Sequence, residues 1–345
     1  MIKPWVFEFL QSPGGPDADV APQAASALFA TGIALWQRIE QLDFEGIFFS
    51  EHHFGLSYSP APNLLIAAVA QRTTRMRLGT MGMVLPFYQP WRVLEEIALL
   101  DHLTGGRLEI GCAAGVPQEL MRVGLDMEEA RARFDEALAI LDAGLAAPVI
   151  SHHGRYWHFD DLRIVPRPLQ QPAPPKWTTV VSTGSARKSA ARGSKICTAF
   201  ESVARITEIF DAYRGEADRL GTPAGPEQLA IRRNIAVARS AEQARDAAQA
   251  AMEATRRVLA GDPRVGARAS LLDAPRAGSG FSVHADEFIA GTPSQVAEQI
   301  VAQCRACGAG HIVAILGRGI DQHRAEAVTL FGEAVIPMLR RAEPG

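Results

Sequence analysis

The sequence is poor in the features that mark several large classes of protein. Cysteine is scarce, with four in 345 residues, so no disulfide framework can hold a chain of this size. The four stand at positions 112, 197, 304 and 307. Cys304 and Cys307 form a lone C-x-x-C inside an expected helix, without the second pair or the setting that a metal or redox motif requires. The longest unbroken apolar run, Leu64–Ala70, is far shorter than the ~20 residues that cross a bilayer. The N-terminus lacks the pattern of a secretory leader. There is no excess of basic residues. Lys and Arg number 35 against 38 Asp and Glu, and 35 − 38 gives a formal charge of −3, without the electrostatic footprint of a nucleic-acid binder. The chain is therefore expected to be soluble and cytoplasmic, with reduced thiols and no metal, binding neither nucleic acid nor membrane.

What is present is a large apolar fraction, 47%, in a regular order. Strands are predicted at Pro4–Gln11, Gly46–His53, Arg77–Leu85, Leu108–Gly115, Lys176–Thr183, Lys195–Phe200, Leu229–Ala238 and His311–Leu316. Helices are predicted at Leu28–Leu42, Pro62–Thr73, Pro90–Leu103, Met127–Gly144, Ser185–Arg192, Val203–Leu220, Ala241–Leu259, Thr292–Cys307 and Arg324–Leu339. Prolines open several of them, and Thr292 caps another. Repeated βα units imply a parallel sheet. Eight units without a composition break favour one α/β domain, residues 1–345, folded as a single (β/α)8 TIM barrel. A doubly wound sheet is disfavoured because no strand leads into a G-x-G-x-x-G turn. Two stretches interrupt the period. Val149–Pro175, with five prolines, reads as an inserted hairpin after the fourth unit. Ala260–Ala285, rich in Gly, Pro, Ala and Arg, reads as a long mobile loop before the last unit.

Sites in such barrels lie at the C-terminal ends of the strands. The second predicted strand ends in Glu51-His52-His53. Neighbouring histidines on a strand point to opposite faces, so one of them is a candidate general base at the mouth; a hydrogen-bonded structural histidine is the alternative. Gly79 and Gly82 in the third strand suggest close approach of a ligand or tight packing. The fourth strand ends in the small residues Ala113 and Ala114, which leave room for a flat cofactor or serve packing. Ser182, Thr183, Gly184 and Ser185 open a helix and could cradle a phosphate or only cap the helix. Arg187 and Lys188 could add charge there. Arg131, early in the fourth helix, would on its own be taken for a solvated residue.

Several motifs, in this order, resemble the bacterial-luciferase-like flavin monooxygenases. They are Glu51-His52-His53-Phe54, Leu78-Gly79-Thr80 with Val84-Leu85-Pro86, and Leu100-Asp101-His102-Leu103-Thr104-Gly105-Gly106-Arg107. Further on come Gly154-x-Tyr156-Trp157-x-Phe159, the proline-rich run to Pro175, and Ala290-Gly291-Thr292-Pro293. The resemblance covers nearly the whole chain. It implies a barrel that binds reduced FMN supplied by a separate flavin reductase, or in sister branches a deazaflavin. It implies that His52 is the catalytic histidine and that Glu51, Met81, Gly82, Ala113 and Ala114 lie around the cofactor. The Met81–Gly82 bond falls where the family often has a non-prolyl cis peptide. Arg131 and Ser182–Ser185 would hold the phosphate, Ala260–Ala285 would be a lid, and a homodimer would be common. Ala113-Ala114 replaces a Cys-Arg pair of true luciferases, which speaks against luminescence. The implied activity is oxidation of a small organic substrate with molecular oxygen. Hydride transfer with a deazaflavin, and a non-catalytic flavin-binding partner subunit, are the alternatives.

Overall fold

The computed structural model describes the chain except residues 14–18, 56, 261–274, 277–278, 281–282 and 343–345. Eight parallel strands close a barrel. They are β1 (Lys3–Glu8), β2 (Gly46–Phe49), β3 (Arg77–Thr80), β4 (Leu108–Ala113), β5 (Lys176–Thr179), β6 (Lys195–Thr198), β7 (Leu229–Val237) and β8 (His311–Ile315). Each pairs with its neighbours in sequence order, and β8 returns to β1 with Lys3 opposite His311 and Val6 opposite Ala314. A parallel pair needs a crossover, so a helix follows each strand on the outside. These helices are α1 (Pro22–Gln41), α2 (Pro62–Ala70), α3 (Pro90–Leu103), α4 (Met127–Ala146), α5 (Thr183–Ala191), α6 (Val203–Leu220), α7 (Ala241–Ala260), α8 (Pro293–Cys307) and α9 (Gln322–Leu330).

The predicted barrel is thus the observed one, with differences of detail. The expected second strand, Gly46–His53, stops at Phe49, and Ser50–His53 is irregular chain. The third breaks at a cis Met81–Gly82 bond, after which Met83–Val84 pairs with β4. The first helix starts at Pro22 rather than Leu28, because proline at the first turn supplies the start signal there. The last helix passes through a π turn at Phe331–Val335 before Ile336–Arg341, where Pro337 has no N–H to donate. A ninth strand, Phe288–Gly291, escaped the sequence pattern and pairs in parallel with the end of β7. The insertion is an antiparallel hairpin, Val149–His153 with His158–Arg163. The expected lid, Ala260–Ala285, falls mostly outside the described residues.

Alternation along the strands separates two cores. Outward side chains pack under the helices. Inward ones form a smaller cluster of Trp5, Phe7, Phe9, Phe48, Met81, Trp177, Cys197, Ala230, Val313 and Ile315. The lower barrel is filled by aromatic rings. Trp5 stacks on Phe48 at 4.4 Å, and Trp177 meets Phe48 edge-on at 5.4 Å. Trp5 donates to Nδ1 of His311 at 2.9 Å, and Nε2 of His311 donates to the Glu227 carbonyl at 3.1 Å. That tautomer leaves no place for a second proton. Burial, then the Lys195 charge, push its pKa down to about 3. Trp177 donates to Glu109 at 2.6 Å, and Glu109 also pairs with Arg77.

Backbones approach closely above this plug. A Cβ at Gly111 would stand 2.0 Å from the Thr80 carbonyl oxygen, and one at Gly82 would stand 2.8 Å from the Cys112 carbonyl carbon. Exposed Gly215 in α6 has nothing within 4 Å of the same construction. The two kinds of glycine should respond oppositely to alanine. Gly111→Ala should lower unfolding free energy in urea by about 1–3 kcal/mol or more, the cost of overpacking. Gly215→Ala should raise it by roughly 0.5–1 kcal/mol, the helix-propensity gain. A Gly111→Ala protein as stable as the parent would contradict the tight β3–β4 approach.

Candidate active site

The mouth is built from the loops that leave the upper strand ends. His52 follows β2 by three residues. Its ring lies 4.8 Å from that of Phe9, which rises from β1. Its Nδ1 is 2.9 Å from Oε1 of Glu119. Glu119 sits on a one-turn helix, Pro117–Leu120, in the loop after β4. The Glu119 side chain is 2% exposed and that of His52 19%. The second Glu119 oxygen, like the Gln118 amide oxygen, is buried without a partner. The histidine therefore has one nitrogen oriented by a buried carboxylate and Nε2 without a partner among the described residues. Sequence reading missed Glu119, since a one-turn helix has no periodicity to reveal it.

His53 points elsewhere. Its Nε2 is 2.9 Å from Oε1 of Glu51, and its ring meets Phe87 edge-on. The other Glu51 oxygen accepts from the Val84 amide at 3.2 Å and the Tyr88 hydroxyl at 2.9 Å. Glu51 is thus spent on bracing the loops after β2 and β3. Burial disfavours the charged form of His53, but the hydrogen bond and charge of Glu51, with the Glu119 charge, outweigh it and raise its pKa. Burial, then the charge of Glu51 and the bond to it, raise that of Tyr88 far above its ordinary value.

The remaining expected residues fall into two groups. Met81 belongs to the inner cluster at the top of the plug, and Gly82 lies against β4, whose end Ala113 pairs beside Val84. Ala113 and Ala114 are half-buried. Cys112 points outward into the helical shell, and burial pushes its thiol up to about 12. The second group lies at the start of α5. Ser182 caps the helix, accepting from the Ser185 amide at 3.2 Å, while the Ser185 hydroxyl reaches back to Ser182. Both hydroxyls thus serve a capping box. The amides of Thr183 and Gly184 have no partner among the described residues, and the space before Gly184 is open. Lys188 lies 3.3 Å from Asp135 on α4. One turn earlier on each of these parallel helices stand Gly184 and Arg131, so Arg131 and the free amides share the same end of the barrel. Arg131 is exposed and has no side-chain partner among the described residues. Lys188 is occupied by Asp135, and Arg187 is exposed. A helix N-terminus with free amides beside a spare guanidinium suits a phosphate.

The sequence pattern of the luciferase-like monooxygenases matches residues 12–311. An uncharacterized protein, y4wF, of Sinorhizobium fredii is 36% identical over 226 residues, covering 64% of this chain and 65% of that protein. The oxygenase component of a flavin-dependent trigonelline monooxygenase from Acinetobacter baylyi is 35% identical over 159 residues, 45% of this chain and 44% of that one. The matches thus span less than two thirds of either relative. Among solved structures, monooxygenase RslO1 of Streptomyces bottropensis superposes with a TM-score of 0.81 at 25% identity, covering 97% of this chain and 99% of that one. The oxygenating constituent of 3,6-diketocamphane monooxygenase from Pseudomonas putida, in complex with FMN, gives 0.78 at 20% identity over 98% and 99%. An F420-dependent secondary alcohol dehydrogenase shares the fold, with a TM-score of 0.76 at 15% identity over 98% and 99%. No helix among the described residues is long and apolar enough to cross a membrane.

The His53–Glu51 pair has a consequence that depends on pH. A histidine whose pKa rises on folding stabilises the fold fully below its unfolded pKa, near 6.5, and this contribution fades as pH rises through the folded value. The stability gap between the parent and His53→Asn should therefore be widest near pH 5.5 and narrow towards pH 8.5. Denaturant unfolding at several pH values measures it, and a gap that widens with pH would rule out the assignment.

Proposed function

Because the chain belongs to the luciferase-like monooxygenase family, we propose that it is a flavin-dependent monooxygenase that accepts reduced FMN from a separate reductase and uses molecular oxygen to oxidise a small organic substrate. The observation that supports this reading most is the His52–Glu119 pair in the loops after β2 and β4, on the side of the barrel where α5 also begins after β5. Reduced FMN, when bound, supplies the electrons that make dioxygen reactive. The residues present fit that cofactor. Thr183, Gly184 and Arg131 would take its phosphate, and the small residues Gly82, Ala113 and Ala114 leave room for a flat ring above the aromatic plug.

His52 would handle protons. With Nδ1–H donated to Glu119, Nε2 of His52 is presented as a base at the mouth. Glu119 is a positioning residue that fixes the tautomer and the orientation. A separate reductase accords with the "oxygenase component" in the name of the A. baylyi relative. Four free, buried cysteines suit a reducing cytoplasm, and we expect a homodimer on family grounds. The shared fold of the F420-dependent dehydrogenase keeps deazaflavin hydride transfer as the second reading. A non-catalytic partner subunit would have no use for the His52–Glu119 pair.

Three results would support the proposal. His52→Ala should fold and bind FMN but lose about 10²–10⁴-fold in turnover, the range for a positioned proton-transfer group. Glu119→Gln, whose amide can place an N–H against Nδ1 and so loosen the ring's orientation, should lower kcat by at least tenfold with little change in FMN affinity. Arg131→Ala should weaken FMN far more than riboflavin, which lacks the phosphate; a charge-assisted contact is worth about 1.5–3 kcal/mol. Oxygen consumption with reduced FMN, against anaerobic hydride exchange with a deazaflavin, separates the two readings. Activity only in the second assay would overturn the first.

A further inference from the structure

The upper barrel holds positive charge that the proton chemistry and the phosphate site leave unused. Arg232 faces inward from β7, two residues beyond Ala230 of the inner cluster. Its guanidinium lies 5.3 Å from the Phe7 ring and 4.3 Å from the Phe200 ring. Arg318, three residues past β8, lies 4.9 Å from the Phe9 ring. Phe9 is also the ring against which His52 packs. Arg318 donates to the Thr255 hydroxyl at 3.0 Å and stands 3.5 Å from the Asn234 amide oxygen, while its Nε–H is buried with no acceptor.

The hydrogen-bonded charges around these groups do not balance among the described residues. Among the described residues, one carboxylate, Glu287, is in hydrogen-bond contact with the arginines of this region. Its short bonds go to neutral donors, the Phe200 amide at 2.7 Å and the Asn234 amide at 2.8 Å. Its contacts with Arg232 and Arg233 are longer, 3.4 and 3.3 Å. Arg233 faces outward, is fully buried and donates to Gln303. Three guanidinium groups stand against one hydrogen-bonded carboxylate among the described residues, an excess of two positive charges, 3 − 1 = 2. Burial first, and then the charge of Arg232, bring the pKa of Arg318 down to about 10. Desolvated like charges are costly unless an anion joins them. The cofactor phosphate is already provided for on the β4 and β5 side, three strands round the barrel. The rings of Phe7, Phe9 and Phe200 offer an apolar wall next to the two cations.

We propose that Arg232 and Arg318 form a subsite for the anionic headgroup of the substrate, which would be an organic carboxylate whose body lies along Phe7 and Phe9 towards His52. This rests on the oxygenase reading of the mouth and narrows it to a substrate class. Arginine suits the role because its planar fork meets a carboxylate with two parallel hydrogen bonds.

Binding to the full-length protein loaded with oxidised FMN tests the proposal without turnover. Isothermal titration with octanoate, octanol and octylamine, and with benzoate against benzyl alcohol, compares headgroups on matched bodies. At least one carboxylate should bind tenfold or more tightly than its alcohol, and octylamine should be the weakest of its set. Arg318→Gln retains a donor for Thr255 and should abolish most of that preference, while FMN affinity stays within twofold. Arg232→Lys, which keeps the charge but loses the fork, should give a smaller loss, and serves if Arg318→Gln does not fold. Equal affinity for carboxylates and alcohols in the parent protein would overturn the proposal. So would Arg318→Gln weakening FMN as much as the carboxylate, since the anion would then be the cofactor's. A carboxylate preference in a chain that binds no flavin would uphold the subsite and remove the oxygenase reading, so the two failures are distinguishable.

Discussion

The stack of Trp5 on Phe48, with Trp177 set edge-on beside it, is the constraint that shapes the rest of the barrel. Three large rings fit within eight strands only where their neighbours give way. A Cβ at Gly46 would stand 2.3 Å from Trp5, and one at Gly79 would stand 2.7 Å from Phe48. The polar edges of the rings must also be satisfied in a dry interior. His311 and Glu109 do this, and Arg77 pairs with Glu109. With the lower barrel packed solid, a ligand inside the barrel would have to lie above it, over Phe9, Met81 and the loop residues. The position of the site thus follows from how the interior is filled.

Much of this could be read from the sequence because it depends on local and periodic signals. Prolines at the starts of α2, α3 and α8, and the apolar strands between, dictate eight βα units. The wider set of motifs located His52, the cis Met81–Gly82 bond and the α5 turn. Alternation failed at Ser50–His53 because the chain leaves the sheet after Phe49. There His52 and His53 part company through their partners, Glu119 and Glu51. The His52–Glu119 partnership has no sequence signature. Glu119 is 67 residues from His52, on a helix of one turn. The Glu287 contacts span 53 to 87 residues, joining the turn before a short strand to β7 and to the loop after β6. Such pairings exist only once the topology is set, so a linear reading can name the residues but not join them.

The mouth is electrically divided. On one side, after β2 and β4, buried Glu119 and Glu51 each hold a histidine. On the other, within β7 and after β8, Arg232 and Arg318 stand on aromatic faces with Glu287 as their common neighbour. Phe9 touches both sides, through His52 and Arg318. Coulomb interactions strengthen where water is excluded, so this division orients a bound molecule by its own charge. On the proposed reading, an anionic headgroup would be drawn to the arginines and repelled by the carboxylates, and the uncharged remainder would lie over Phe9 against His52. A cationic molecule of the same shape would be turned the other way, with its reactive part held away from the base. The same two groups of side chains that are costly to bury apart can therefore decide both which molecule enters and which of its atoms meets the histidine.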